Sequence, residues 1–125
     1  MSYSSFWRIL IALGGFTGVA MGAGAAHGLS HILSHDALSW IHTGVMYQLI
    51  HLGCALAVAH QAPRCGKFWI VGSWCFAGSL YLLAILPEGL RHSFAIIIGP
   101  ITPIGGVLML IGWGLLIWNK LPSDK

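Results

Sequence analysis

Charge is what this chain has least of. Nine residues carry it, Arg8, Asp36, Arg64, Lys67, Glu88, Arg91, Lys120, Asp124 and Lys125, out of 125, whereas a soluble domain is roughly one-quarter charged. That shortfall excludes an ordinary soluble globular surface. There is no basic run and no basic stripe, so the formal charge of +3 does not ask for a nucleic-acid partner. Cysteine is scarce too. Cys54, Cys65 and Cys75 are odd in number and lack Cys-x-x-Cys spacing, which leaves no disulfide framework and makes them small packing residues or an inert thiol. No nucleophile, base and orienting group can be assembled, and no phosphate-cradling glycine loop follows a strand. No catalytic residue is assigned, and the protein is read as leaning away from enzymes.

What fills the space between the charges is apolar. The uncharged stretches 9–35, 37–63, 68–87 and 92–119 each approach or exceed the ~20 residues that cross a bilayer core. The chain is therefore predicted to be an all-α polytopic membrane protein. One domain over 1–125 would hold four transmembrane helices in one bundle, at about 6–28, 40–60, 68–86 and 102–119. Arg8, the apolar run from Ile9 and Ala23-Gly24-Ala25 also make a passable secretory signal. With Met1 onward retained, the segment reads as a first span.

Counting cations by side gives an orientation. Alternating spans put Arg8, Arg64, Lys67, Lys120 and Lys125 on one side and only Arg91 on the other. The positive-inside rule then predicts cytoplasmic N- and C-termini in the inner membrane of a bacterium. Trp7, Trp69 and Trp118 near the cytoplasmic cations, and Trp40 at the outer side, fit an aromatic belt, while Trp74 and Trp113 read as hydrophobic filling.

Span one carries small residues at every fourth place, Gly14, Gly18, Gly22 and Ala26, the pattern that lets helix backbones approach closely in lipid. Its partner is another span or a second copy of the chain. Gly105 and Gly106 are packing positions of the same kind in span four. Gln61 to Lys67 is expected as the tight cytoplasmic turn, and Pro87-Glu88-Gly89 as the stop of span three. Thr102 is expected to cap span four, with Pro103 at its first position. Phe94 to Ile101 is then an interfacial or partly re-entrant segment, or else part of one longer helix kinked at Pro100 and Pro103.

The polar side chains inside these spans gather by depth toward one leaflet. His27, Tyr47, Gln48, His51, Ser79, Tyr81 and Thr102 come from four spans and form the candidate ligand-binding set. Buried amides and imidazoles must find partners in hydrocarbon, so these faces should point into the bundle. They make either an interhelical hydrogen-bond network or a ligand site. His31, His35 and His42 are a weak alternative metal set, since Gly28, Ser30 and Ser34 interrupt the helix that would align the first two with His27. Axial haem ligation by His27 and His51 suffers from mismatched depths. A proton-coupled transporter lacks a membrane-embedded carboxylate, although His51 offers a proton site.

The polar islands Gly22-Ala23-Gly24-Ala25-Ala26-His27-Gly28-Leu29, Tyr47-Gln48-Leu49-Ile50-His51, Phe76-Ala77-Gly78-Ser79-Leu80-Tyr81 and Thr102-Pro103-Ile104-Gly105-Gly106, followed by Gly112-Trp113, resemble the small membrane proteins of domain-of-unknown-function family 423. That family includes bacterial inner-membrane proteins and relatives of mitochondrial transmembrane protein 256. The resemblance covers nearly the whole chain. It implies a four-helix integral membrane protein and no established activity. Gly24 stands where an aromatic is common and Ala77 where a serine is common, so this chain has space beside His27 and one hydroxyl fewer in span three. The leading expectation is a non-enzymatic inner-membrane protein whose polar cluster binds a lipid, quinone or similar amphipathic molecule, or which serves as an accessory subunit of a larger complex. No cofactor is evident, with haem or quinone left open. The alternative is a small transporter or channel acting as a homo-oligomer.

Overall fold

The computed structural model describes residues 2–119, and every regular element among them is helical. Lys120, Asp124 and Lys125 of the charge count lie outside the described residues. The order is α1 (Ser5–Ala26), a 3₁₀ turn (Leu29–His31), α2 (His35–Ala57), α3 (Pro63–Ile85), α4 (Glu88–Ile98) and α5 (Ile101–Trp118). By length and composition α1, α3 and α5 suffice to cross a membrane. The fourth expected span, α2, equals α3 in length at 23 residues, but His35, Asp36, His42, Gln48 and His51 lower its apolarity.

Local signals explain where the ends differ from expectation. α2 starts at His35, before the predicted 40, because the Ser34 hydroxyl accepts the Ala37 N–H at 3.2 Å and Asp36 sits in the first turn. α3 starts at Pro63, where the missing proline N–H costs nothing. The expected turn at 61–67 is thus displaced, and Arg64, Cys65, Gly66 and Lys67 are helical. Thr102 does not cap α5. Gly99 and Pro100 both keep right-handed helical angles between the end of α4 at Ile98 and the start of α5 at Ile101, so 94–101 is helical on both sides of a short break.

α3 is the central helix, packed extensively on α2 and α5 and lightly on α1 and α4. Two cores form along it. Ile11, Leu52, Cys65, Trp69, Ile70 and Met109 make one, and Ala25, Ala37, Ile41, Ala77, Tyr81 and Ala84 the other.

α1 meets α2 through its glycines. A Cβ on Gly14 would lie 2.5 Å from Leu52 Cδ1, one on Gly18 2.8 Å from Leu49 Cδ2, and one on Gly22 3.4 Å from Val45 Cγ1. The stripe is therefore filled within the chain. Ala26, the fourth member expected, is exposed, and Ala25 is buried in its place. Steps of four run ahead of ~3.6 residues per turn, so a step of three restores the contact face. α5 docks on α3 by an equally narrow stripe, Gly105, Met109 and Gly112. Gly106, also expected to pack, faces open space, with nothing within 4 Å of the point a Cβ would occupy.

The segment before α1 is anchored by a residue the sequence did not single out. Tyr3 inserts against Gly66 and donates its hydroxyl to the Ala55 carbonyl at 2.8 Å. Burial, with Cys65 adding to it, pushes the Tyr3 pKa from 10.0 up to about 12. Because the folded value lies above the unfolded one, this contribution to stability is complete below pH 10 and is lost as pH rises through about 12. Thermal melts in detergent should show the wild type losing stability relative to Tyr3→Phe across that window. Parallel curves would mean that Tyr3 is not held protonated by the fold.

Candidate functional site

The polar residues expected to converge do meet, but in separate pairs. Near the middle of α2, Gln48 is fully buried, and its Oε1 accepts the Tyr81 hydroxyl of α3 at 2.9 Å. Gly44, one turn earlier on α2, makes room for the Tyr81 ring, which would lie 2.8 Å from a Cβ there. The amide nitrogen of Gln48 has no partner among the described residues. Ser79 and Thr102 share a hydrogen bond at 2.6 Å between α3 and α5, and the Ser79 hydroxyl also reaches the Phe76 carbonyl at 2.9 Å. The first turn of α5 is thereby tied to α3.

His51 belongs to a third group, one turn further along α2. Its Nδ1 lies 2.7 Å from the Tyr47 carbonyl, and the Trp113 indole N–H points at its Nε2 from 3.1 Å. A carbonyl accepts and an indole N–H donates. His51 therefore carries its proton on Nδ1 and accepts on Nε2, with both ring nitrogens engaged inside the chain. Tyr47 stacks on His51 with centroids 5.9 Å apart and touches Phe76, and Trp113 packs on Trp69 at 4.5 Å. Tyr47 and Trp113 stay 37% and 41% exposed. The result is an aromatic seam between α2 and α5, backed by α3.

His27 does not join these groups. It is exposed at the C-cap of α1, where the helix ends with φ −122° and ψ −86°. That turn also breaks the alignment of His27, His31 and His35. His35 and His42 lie two turns apart on an exposed face of α2. Among the described residues no group of three His, Cys, Asp or Glu side chains is placed to hold a metal ion.

Tryptophans supply what the sequence missed. Trp74, expected as filling, donates its N–H to the Leu10 carbonyl of α1 at 3.0 Å, and Trp113 orders His51. Trp69, expected in the interfacial belt, is 1% exposed against Gly112, its N–H without a partner among the described residues. Each was visible in the sequence as a tryptophan inside a span, but its partner lies on a different helix. Arg91, read from the sequence only as a charge, has bonds of its own. Its guanidinium donates to the carbonyls of Leu83 at 2.9 Å and Leu86 at 3.0 Å and stacks on the Trp40 ring at 5.3 Å.

Glycine-spaced helix contacts, buried polar pairs between helices and three helices fit to cross a bilayer define a helical membrane protein. Known sequences narrow that class further. The family described as protein of unknown function (DUF423) matches residues 21–106. A UPF0382 membrane protein of Haemophilus influenzae is 49% identical, over 93% of this chain and 94% of that protein. A UPF0382 membrane protein of Schizosaccharomyces pombe is 36% identical, over 90% and 98%. The UPF0382 inner membrane protein YgdD of Escherichia coli is 35% identical, over 91% and 88%. The chain belongs to the DUF423 family. No solved structure matches it.

Proposed function

We propose that this is a non-enzymatic inner-membrane protein of four spans, α1, α2, α3 and α5, with both termini cytoplasmic, in which the intramembrane polar residues lock the helices together. The observation that carries this reading is the state of His51, whose two ring nitrogens are both bonded within the chain. A group so committed is poorly placed to ligate haem or relay a proton. α2 as the fourth span is supported by its length and by Gln48, Ile41 and Ala55, each fully buried. The orientation is supported by the cations Arg8, Arg64 and Lys67, which share one end of the bundle, and the inner membrane by the name of the Escherichia coli relative. Such a protein would act by what its surface binds, as an accessory subunit would. Self-association would need a face other than Gly14, Gly18 and Gly22, which Leu49 and Leu52 already fill.

A second reading is favoured by the half-open seam. Tyr47 and Trp113 present aromatic surface to the bilayer beside His51, where a quinone ring or another amphipathic molecule would stack. Gln48→Leu and His51→Leu separate the two. As helix locks they should each lower the stability of the detergent-extracted protein by about 1 kcal/mol, with small-molecule content by mass spectrometry unchanged. Loss of a co-purified molecule at unchanged stability would overturn the lock reading in favour of the seam.

A further inference from the structure

The surface hollows of this bundle lie away from the polar pairs, and several of them join. Trp7 of α1, Lys67, Phe68 and Val71 of α3 and Leu108 of α5 line an open hollow of about 210 Å³. Leu108 also lines the next hollow along α5, with Pro103, Ile104 and Val107. In the other direction Trp7 and Lys67 are shared with a wider hollow of about 460 Å³ that includes Ser2, Ser4 and Pro63. The three adjoin through shared lining residues into a shallow track, from the start of α1 and α3 past Trp7 and Val71 and on along the outer face of α5, that changes character along its length. It is apolar along α5 and polar and cationic where α1 begins.

Charge and length both select an occupant. The Lys67 ammonium lies 5.3 Å from the centroid of the Trp7 ring, so the cation sits at the mouth of the apolar part, with its stem along the groove. Ser4 makes no side-chain capping bond at the start of α1, which leaves first-turn N–H groups of α1 uncapped at the end where Ser2 and Ser4 line the wider hollow. The lining runs four residues along α3, from Lys67 to Val71, and from Leu108 beside it five residues along α5 to Pro103, together about 14 Å at ~1.5 Å per residue. One leaflet holds about 15 Å of hydrocarbon. A phosphate beside a lysine, with an acyl chain one leaflet long beneath it, matches this groove in sign, order and reach.

We propose that this track binds one anionic phospholipid from the leaflet facing the chain's N-terminus, its phosphate at Lys67 and an acyl chain over Val71 and Leu108. The proposal rests on the membrane-spanning reading and is independent of the polar pairs and of which compartment the termini face. A single surface cation near a bilayer is worth ~1 kcal/mol, about a fivefold preference in binding.

The test titrates delipidated, detergent-held protein with phosphatidylglycerol or phosphatidylcholine and reads bound lipid by native mass spectrometry. Wild type should retain phosphatidylglycerol about fivefold better. Lys67→Gln should remove that preference, bringing phosphatidylglycerol retention down to that of phosphatidylcholine. Val71→Trp fills the groove from an exposed position, so the fold is kept, and it should weaken both lipids. Circular dichroism melts matching wild type confirm that both variants are folded. Equal retention of the two lipids by wild type, a preference that survives Lys67→Gln, or unchanged binding in Val71→Trp would each overturn the proposal.

Discussion

Gly105→Leu is expected to prevent α5 from docking and to cost at least about 3 kcal/mol, the upper part of the range for over-packing. A Cβ at this position would stand 2.5 Å from the Phe76 backbone nitrogen and 2.6 Å from the Gly72 carbonyl oxygen. These are main-chain atoms of a buried helix, so no rotamer change relieves them. Gly72 faces the same crossing from the other side, where a Cβ would lie 2.8 Å from the Gly105 carbonyl oxygen. The two glycines bring α3 and α5 into backbone contact, and in lipid such close packing is the main force holding helices together. Losing it would also separate Ser79 from Thr102 and Trp113 from His51. Gly106→Ala is the internal control, since nothing lies within 4 Å of the added atom. It should leave stability unchanged or raise it by up to about 1 kcal/mol, the helix propensity of alanine over glycine. Thermal melts of both variants in one detergent decide the matter, and a Gly105→Leu protein as stable as wild type would mean that α5 does not cross α3 here.

Arg91→Ala has the next largest expected effect, a loss of about 2 kcal/mol, because hydrogen bonds to a charged donor contribute roughly 1.5–3 kcal/mol and partial exposure reduces them here. The last carbonyls of a helix have no partner within it. Leu83 and Leu86 at the end of α3 find theirs in the Arg91 guanidinium, which lies half-buried and stacked on Trp40. Arg91→Lys keeps the charge without the planar fork and should recover only part of the loss. This role gives a structural purpose to Arg91, which among the described residues lies at the opposite end of the bundle from Arg8, Arg64 and Lys67. It follows that Arg91→Ala should leave the topology unaltered, as read by a C-terminal reporter fusion. An inverted fusion signal, or a melt indistinguishable from wild type, would show that Arg91 serves topology and not the end of α3.

How far the sequence reached depends on whether partners lie on one helix or two. Gly14, Gly18 and Gly22 announced a close contact through their spacing alone, because spacing along one helix fixes which side chains share a face. The same spacing could not name α2 as the partner, nor show that the contact steps from Gly22 to Ala25. The polar set was legible as a list. Gln48, His51, Ser79, Tyr81 and Thr102 must be paired in hydrocarbon, and their residue types say so. Which pairs form is a matter of helix rotation and relative height, and those come only from packing. Hence Tyr81 went to Gln48, Thr102 to Ser79 instead of to its own helix end, and His51 to a tryptophan that had no polar role in the linear reading. His27 was misplaced for the opposite reason. Its place in the set rested on depth near the outer end of a span expected to run to 28, and the helix ends at Ala26 and leaves it exposed.

By itself the sequence determined the solvent and the class, an all-helical membrane protein; it expected four spans where the described residues form five α-helices, three of them long and apolar enough to cross a bilayer. Solvent and class follow from free energies of transfer summed along the chain, and a stretch without charge is apolar whatever it packs against. The tertiary structure alone decided the pairing of polar groups, the backbone crossing at Gly72 and Gly105, and the groove that joins Lys67 to Leu108. Those depend on which atoms of distant segments come within a few ångströms of each other, a quantity that no local pattern contains.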